Sequence, residues 1–154
     1  MDKLEFFYVT YIATTPEKLW TALTSAEFTR QYWFGMAIES DWRVGSSVLY
    51  RQEGEITDRG TVLTFEPPRL LSYTFHPVLD EEMRRERPSR VSFEIEPLGG
   101  KTEPQGQAVR LTVTHDDFPP ESKVFPRIRA GWPAILSSLK SLLEGGKPLS
   151  AACR

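Results

Sequence analysis

The side chains best equipped for chemistry are few and scattered. His76 and His115 are the only histidines of the 154 residues, and each closes a segment that reads as a strand. His115 is followed by Asp116 and Asp117, a run that could set a carboxylate behind an imidazole for base catalysis. Without a nucleophile nearby, the run reads instead as a loop histidine beside solvated acids. Neither histidine stands in an HExxH-type spacing or next to a cysteine, so no metal site is expected. No G-x-S-x-G elbow, phosphate-binding loop or dinucleotide glycine pattern occurs. The one cysteine, Cys153, has only Arg154 beside it to lower its pKa, which argues against a catalytic thiol and an intrachain disulfide. No catalytic residue and no cofactor is expected.

Two other groups could do something short of catalysis. Asp80-Glu81-Glu82 with Arg84-Arg85-Glu86-Arg87 is a mixed charge cluster between two strands. It reads as a solvated loop or short surface helix, and its length also suits a mobile lid. The second group is aromatic. Trp33, Phe34, Tyr73, Phe75, Phe93 and Trp132, with Leu136, are expected to face one space between a helix and a sheet. Such side chains either fill a core or wall a cavity, and a ligand site of this kind is an incompletely filled core. Tyr8, Tyr73, Thr74 and His76 are the candidate polar groups there, while Trp20 reads as core.

The elements that must position these residues are mostly short strands. Glu5 to Ala13 is rich in β-branched and aromatic residues and reads as a first strand, with either face apolar enough to be the inner one. Thr15-Pro16-Glu17 opens a helix, Thr15 as N-cap and Pro16 at its first position. Ser25 begins a second short helix that ends at Trp33-Phe34-Gly35. Further strands follow at 36–40, 47–53, 55–65, 70–76, 90–96 and 109–115, with a turn at Gly45 and a hairpin about Gly54. Asp58-Arg59-Gly60 reads as a bulge or a competing turn. Val91, Phe93 and Ile95 alternate with polar residues, as do Val109, Leu111 and Val113, so one face of the sheet is wet and one dry. Gly99 to Gly106 is a polar connection.

The last element is a helix over Arg127 to Glu144. Ile128, Trp132, Ile135, Leu136, Leu139, Leu142 and Leu143 form its apolar stripe. Gly131 and Pro133 predict a kink or break in it. The order is strand, two helices, six strands and a long helix, an α+β domain. One domain over 1–146 and a loose tail over 147–154 are expected.

The chain resembles a known family at Thr15-Pro16-Glu17-Lys18-Leu19-Trp20 and at Gly131-Trp132 with the leucines that follow. Asp41-Trp42-Arg43-Val44-Gly45-Ser46 and Pro67-Pro68-Arg69-Leu70-Leu71 stand between those ends in matching order. It is similar to the heat-shock-protein-90 ATPase activator homologues of the START-like (SRPBCC) superfamily. The resemblance implies a helix-grip fold, with a curved antiparallel sheet of about seven strands wrapped around a long C-terminal helix. It also implies a cavity between helix and sheet, with Trp33 and Phe34 similar to an aromatic pair near its entrance and Trp132 to the tryptophan of the last helix. The eukaryotic activators carry a further N-terminal domain, for which this sequence leaves no room.

Composition narrows the function. A net charge of −2 leaves no basic stripe for nucleic acid or membrane lipid. No apolar run approaches the ~20 residues of a bilayer span, and the start lacks a signal-peptide layout. A cytoplasmic protein, monomer or dimer, is expected. The leading expectation is non-enzymatic binding of a hydrophobic or aromatic small molecule between the last helix and the sheet. A chaperone-linked interaction module in stress response is the second. A cyclase- or hydrolase-like enzyme of the same superfamily is the third.

Overall fold

The computed structural model describes residues 3–99 and 107–149. Cys153, residues 100–106 of the expected polar connection and the end of the expected tail lie outside the described residues. The elements run β1 (Phe6–Ile12), α1 (Pro16–Thr24), α2 (Ala26–Tyr32), β2 (Ala37–Ser40), β3 (Ser47–Gln52), β4 (Glu55–Glu66) and β5 (Leu70–Pro77). They continue with α3 (Glu81–Arg84), β6 (Ser89–Leu98), β7 (Ala108–Asp116) and α4 (Val124–Gly145). The strands form one antiparallel sheet in the order β1-β7-β6-β5-β4-β3-β2. This is the expected α+β helix-grip arrangement.

Local sequence explains most of the boundaries. The Thr15 side chain accepts from the Lys18 amide at 3.2 Å, and Pro16 occupies the first turn of α1. Leu19, Trp20, Ala22 and Leu23 are its buried side. The β3–β4 hairpin turns on Glu53 and Gly54, both at positive φ (51° and 85°), the requirement of a type I′ connection. The inner face of β1 is now assigned. Phe6 and Ile12 are buried with Tyr8 and Thr10 partly covered, while Phe7, Val9 and Tyr11 point outward.

The dry faces of β5, β6 and β7 meet Trp132, Ile135, Leu136, Leu139 and Leu142 of α4 in one apolar cluster. Burying each of these aliphatic side chains contributes about 1.5–3 kcal/mol. The helix does not break at Pro133; it runs without interruption from Val124 to Gly145. Pro133 and Arg129 are both exposed, so the carbonyl that Pro133 leaves without a helical donor sits on the wet side and costs little. Packing of the opposite face overrides the local signal.

Both ends of α4 are tied to distant segments. At its end, the Glu144 carboxylate accepts from the Ala13 amide (2.8 Å) and from Lys140 Nζ (2.6 Å), and Lys140 also donates to the Tyr11 carbonyl. These donors hold the Glu144 carboxyl below its usual range. At its start, Ser122 Oγ accepts from the Phe125 amide, while the Glu86 carboxylate accepts from Ser122 Oγ and the Lys123 amide, both at 2.6 Å. One member of the charge cluster therefore caps a helix 37 residues away. Glu86→Ala should destabilise the fold by about 1–2 kcal/mol in chemical denaturation, whereas Arg84→Ala, an exposed neighbour, should change it by less than about 0.5 kcal/mol.

Candidate functional site

A half-open cavity of about 230 Å³ lies where the first half of α4 passes over the ends of β3, β4 and β5. Three helices, four strands and the loop before α3 contribute to it. The α4 stripe supplies Val124, Ile128, Gly131, Trp132 and Ile135, spaced by three and four so that they share one helix face. The end of α2 supplies Trp33 and Phe34. Strand β3 supplies Tyr50 and Gln52, β4 supplies Thr57 and Asp58, and β5 supplies Phe75 and Pro77. Leu79, Asp80 and Met83, in and just before α3, stand at the mouth opposite Arg127.

Phe34 is held at positive φ (52°), an uncommon conformation for a bulky residue. Gln52 Nε2 donates to its carbonyl at 2.9 Å, bracing the strained turn against β3. Backbone strain beside a cavity is a feature of ligand sites more than of cores. Gly131 lies across from it: a Cβ there would meet only Phe34 ring carbons, at 3.6 and 3.9 Å. A Cβ alone would fit there in ordinary contact, so a larger side chain is what would fill the space beside Phe34.

The aromatic wall is continuous. Trp33 lies edge-to-face with Tyr50 and Trp132 at centroid distances of 5.7 and 5.3 Å, and Phe75 packs edge-on against Tyr50 and His115. Behind it, the Tyr50 and Tyr73 hydroxyls share a 2.7 Å hydrogen bond, and burial raises both above the usual tyrosine range.

His115 is not a loop residue. It is 1% exposed on the dry face of β7 and forms part of the cavity wall. Trp132 Nε1–H donates to His115 Nδ1 at 3.0 Å, which makes Nδ1 the acceptor and leaves the proton on Nε2. Nε2–H then donates to Ser89 Oγ at 2.7 Å, and Ser89 donates to the Phe75 carbonyl at 3.3 Å. Each side-chain polar atom of Trp132, His115 and Ser89 thus has a partner. Burial pushes the imidazole pKa down to about 3, with Asp116 opposing the shift, so the ring is neutral. With both nitrogens committed, it is a fixed part of the wall and not a free base.

Asp58 is the other buried polar group of the wall, 9% exposed. It faces the cavity by the alternation of β4, in phase with Val62 and opposite the buried Tyr50, and a bulge comes just before it. Tyr50 pairs with Asp58 but Arg51 pairs with Ile56, so Thr57 is an extra residue that shifts the strand's phase. The expected irregularity falls here, at Thr57, just ahead of Asp58-Arg59-Gly60. Thr57 Oγ1 donates to Asp58 Oδ2 at 2.7 Å. Burial raises the Asp58 pKa, against the hydrogen bond from Thr57 and the more distant charges of Arg127 and His76. Among the described residues no cation pairs with it within 4 Å.

Of the seven expected site residues, Trp33, Phe34, Phe75 and Trp132 line the cavity. Tyr73, Phe93 and Leu136, each at most 2% exposed, lie in the core behind that wall. None of Tyr8, Tyr73, Thr74 and His76 is among the groups facing the space; Tyr50, Gln52, Thr57, Asp58 and His115 are. His76 Nε2 contacts the Arg84 carbonyl instead, at 2.7 Å. The alternation of Val109, Leu111 and Val113, carried two residues further, already places His115 inward. Among the described residues no group of three or more His, Cys, Asp or Glu is placed to hold a metal, and no helix is long and apolar enough to cross a membrane.

Comparison with known proteins adds a lineage. The family model described as activator of Hsp90 ATPase homolog 1-like protein matches residues 13–144. No curated protein matches the chain. Among solved structures, the Aha1 dimer from Colwellia psychrerythraea is 22% identical, with a TM-score of 0.71 over 93% of this chain and 98% of that one. Protein MLL2253 from Mesorhizobium loti is 26% identical, with a TM-score of 0.70 over 90% and 96%. An HSP90 activator from Plasmodium falciparum is 21% identical, with a TM-score of 0.64 over 83% and 86%.

Proposed function

Because the chain belongs to the activator of Hsp90 ATPase homolog 1-like family, we propose that it is a binding protein of that family, holding a hydrophobic or aromatic small molecule beside Trp132. The observation that carries this reading is the half-open cavity of about 230 Å³ walled by Trp33, Phe34, Phe75 and Trp132. A core-filling role alone gives no reason for the space. Cavities of roughly 150 Å³ lined by apolar side chains already accept a benzene ring, so this volume suits one substituted ring or a short chain. The reading is non-enzymatic: His115 has both nitrogens engaged, and the superfamily's cyclase- or hydrolase-like chemistry would need another acid or base. A cytoplasmic location is part of the same proposal.

Native mass spectrometry of the purified protein tests it. A co-purified small molecule is expected in the wild type and absent from Gly131→Leu, whose side chain would grow from the helix towards Phe34 and block the mouth. Leucine is also the better helix former by about 0.8 kcal/mol, so this variant should keep its stability. Ligand retained equally by both proteins would sink the reading.

A second reading follows from the relatives. The family description and the Plasmodium structure name Hsp90 activation, and the Colwellia structure is of a dimer. On this reading the domain is a chaperone-linked interaction module, itself monomeric or dimeric. A pull-down with Hsp90 that retains no chain at micromolar concentrations would count against it.

A further inference from the structure

We propose that the cavity selects an organic cation, an ammonium group carried on an aromatic or short aliphatic body, with Asp58 as its anchoring residue. The inference rests on the small-molecule-binding reading and names the chemistry of the ligand. Three observations converge on it. First, Asp58 puts a carboxylate on the inward face that β4 continues with Val62, opposite the buried Tyr50 and in a wall that Trp33, Phe34 and Phe75 share. A chain packing only its core would place an apolar residue there. Second, one Asp58 oxygen is engaged by Thr57, while the side chain has no ion-pair partner within 4 Å among the described residues. A buried carboxylate is costly to ionise unless a cation meets it. An incoming ammonium would remove that cost and gain a charge-assisted hydrogen bond. Third, Trp33, Phe34, Tyr50, Phe75 and Trp132 surround the same space, and aromatic rings attract cations through their quadrupoles.

The remaining charges agree. Asp80 and Arg127 are the other acidic and basic side chains at the mouth. Asp80 spends one carboxylate oxygen on the Met83 amide, and Arg127 turns a guanidinium N–H to Met83 Sδ at 3.6 Å. His115 is neutral. Two carboxylates thus face one guanidinium, and the guanidinium lies on the exposed rim. An anionic ligand that placed its charge at the Asp58 position would meet like-charge repulsion there.

Three probes of one shape separate the possibilities: 2-phenylethylamine, 2-phenylethanol and phenylacetate, titrated at pH 7 with the indole N–H signals of Trp33 and Trp132 as the NMR readout. The wild type is expected to bind the amine about tenfold or more tightly than the alcohol, with phenylacetate weakest, as a charge-assisted contact predicts. Asp58→Asn keeps the size and a hydrogen-bonding group at Thr57, and should abolish the amine's advantage over the alcohol. Equal affinity for amine and alcohol in the wild type would overturn the inference and leave the binding reading intact. An advantage that survives Asp58→Asn would do the same. If none of the three probes moves either indole signal, the binding reading falls and this inference with it.

Discussion

His115→Leu is expected to cost about 2–4 kcal/mol of folding free energy, a large loss for an exchange that adds apolar volume to an apolar wall. The cause is the pair of partners left behind. Trp132 Nε1–H loses its acceptor and Ser89 Oγ loses one of its two partners, both at buried positions. Each orphaned buried group costs about 1–3 kcal/mol. A double-mutant cycle separates this from simple packing. In Trp132→Phe the indole donor is already gone, so adding His115→Leu should cost at least 1 kcal/mol less than it does alone. Additive losses in chemical denaturation would show that the hydrogen-bonded chain contributes nothing beyond its volume.

The same histidine sets a pH dependence whose sign is fixed by its environment. Its folded pKa of about 3 lies below the unfolded value of 6.5. The stability it contributes is therefore complete above pH 6.5 and is lost as pH falls from there towards 3. At 1.36 kcal/mol per unit, about 2 kcal/mol should be gone by pH 5. Asp58, with its pKa raised, contributes in the opposite direction over the carboxylate range, because burial favours its protonated form. Comparing pH 7.5 with pH 5 in wild type and His115→Leu isolates the imidazole, and the variant should show the flatter profile.

What could be read in the sequence was whatever is decided locally or by simple alternation. Thr15-Pro16 marked the start of α1 because a cap and a fixed φ act within four residues. Val91, Phe93 and Ile95 marked the dry face of β6 because the side-chain period of a strand is two. The same rule extends to Ser89 and His115 at the ends of β6 and β7, and both are buried. Reading His115 with its acidic neighbours instead of with Val113 is what hid it. Asp58 was hidden for a different reason. It shares the inward face of β4 with Val62, but Gly60 between them has no side chain to show the alternation, and Asp58-Arg59-Gly60 reads locally as a bulge or turn. Pro133 shows the limit of propensity, since burial of Trp132 and Ile135 on the far side outweighs one missing hydrogen bond. Trp33, Phe34, Phe75 and Trp132 differ from Tyr73, Phe93 and Leu136 only in depth, which no periodicity encodes.

Gly60→Ala should be the other strongly damaging substitution, at roughly 3 kcal/mol or more, the upper end for overpacking a well-packed site. Gly60 does not sit at a turn, and its role is proximity. A Cβ built there would lie 1.7 Å from the Thr74 carbonyl oxygen and 2.8 Å from its carbon, so strand β5 itself would have to move. That close approach replaces ordinary pairing: β4 and β5 are in register at Arg59–His76 and again at Val62–Tyr73. Between them the Thr61 amide donates to Thr74 Oγ1 at 2.9 Å. Glycine lets the two strands fold together there, as glycine in a strand does where another backbone comes near. The displacement would not stay local. Asp58 stands two residues before Gly60 and Phe75 one residue after Thr74, so both walls of the cavity ride on this contact. Thermal and urea unfolding of Gly60→Ala should show the loss, and amide exchange should rise first at Thr61 and along β5. A variant within about 0.5 kcal/mol of wild type, with exchange unchanged there, would mean that β5 does not need the space glycine leaves.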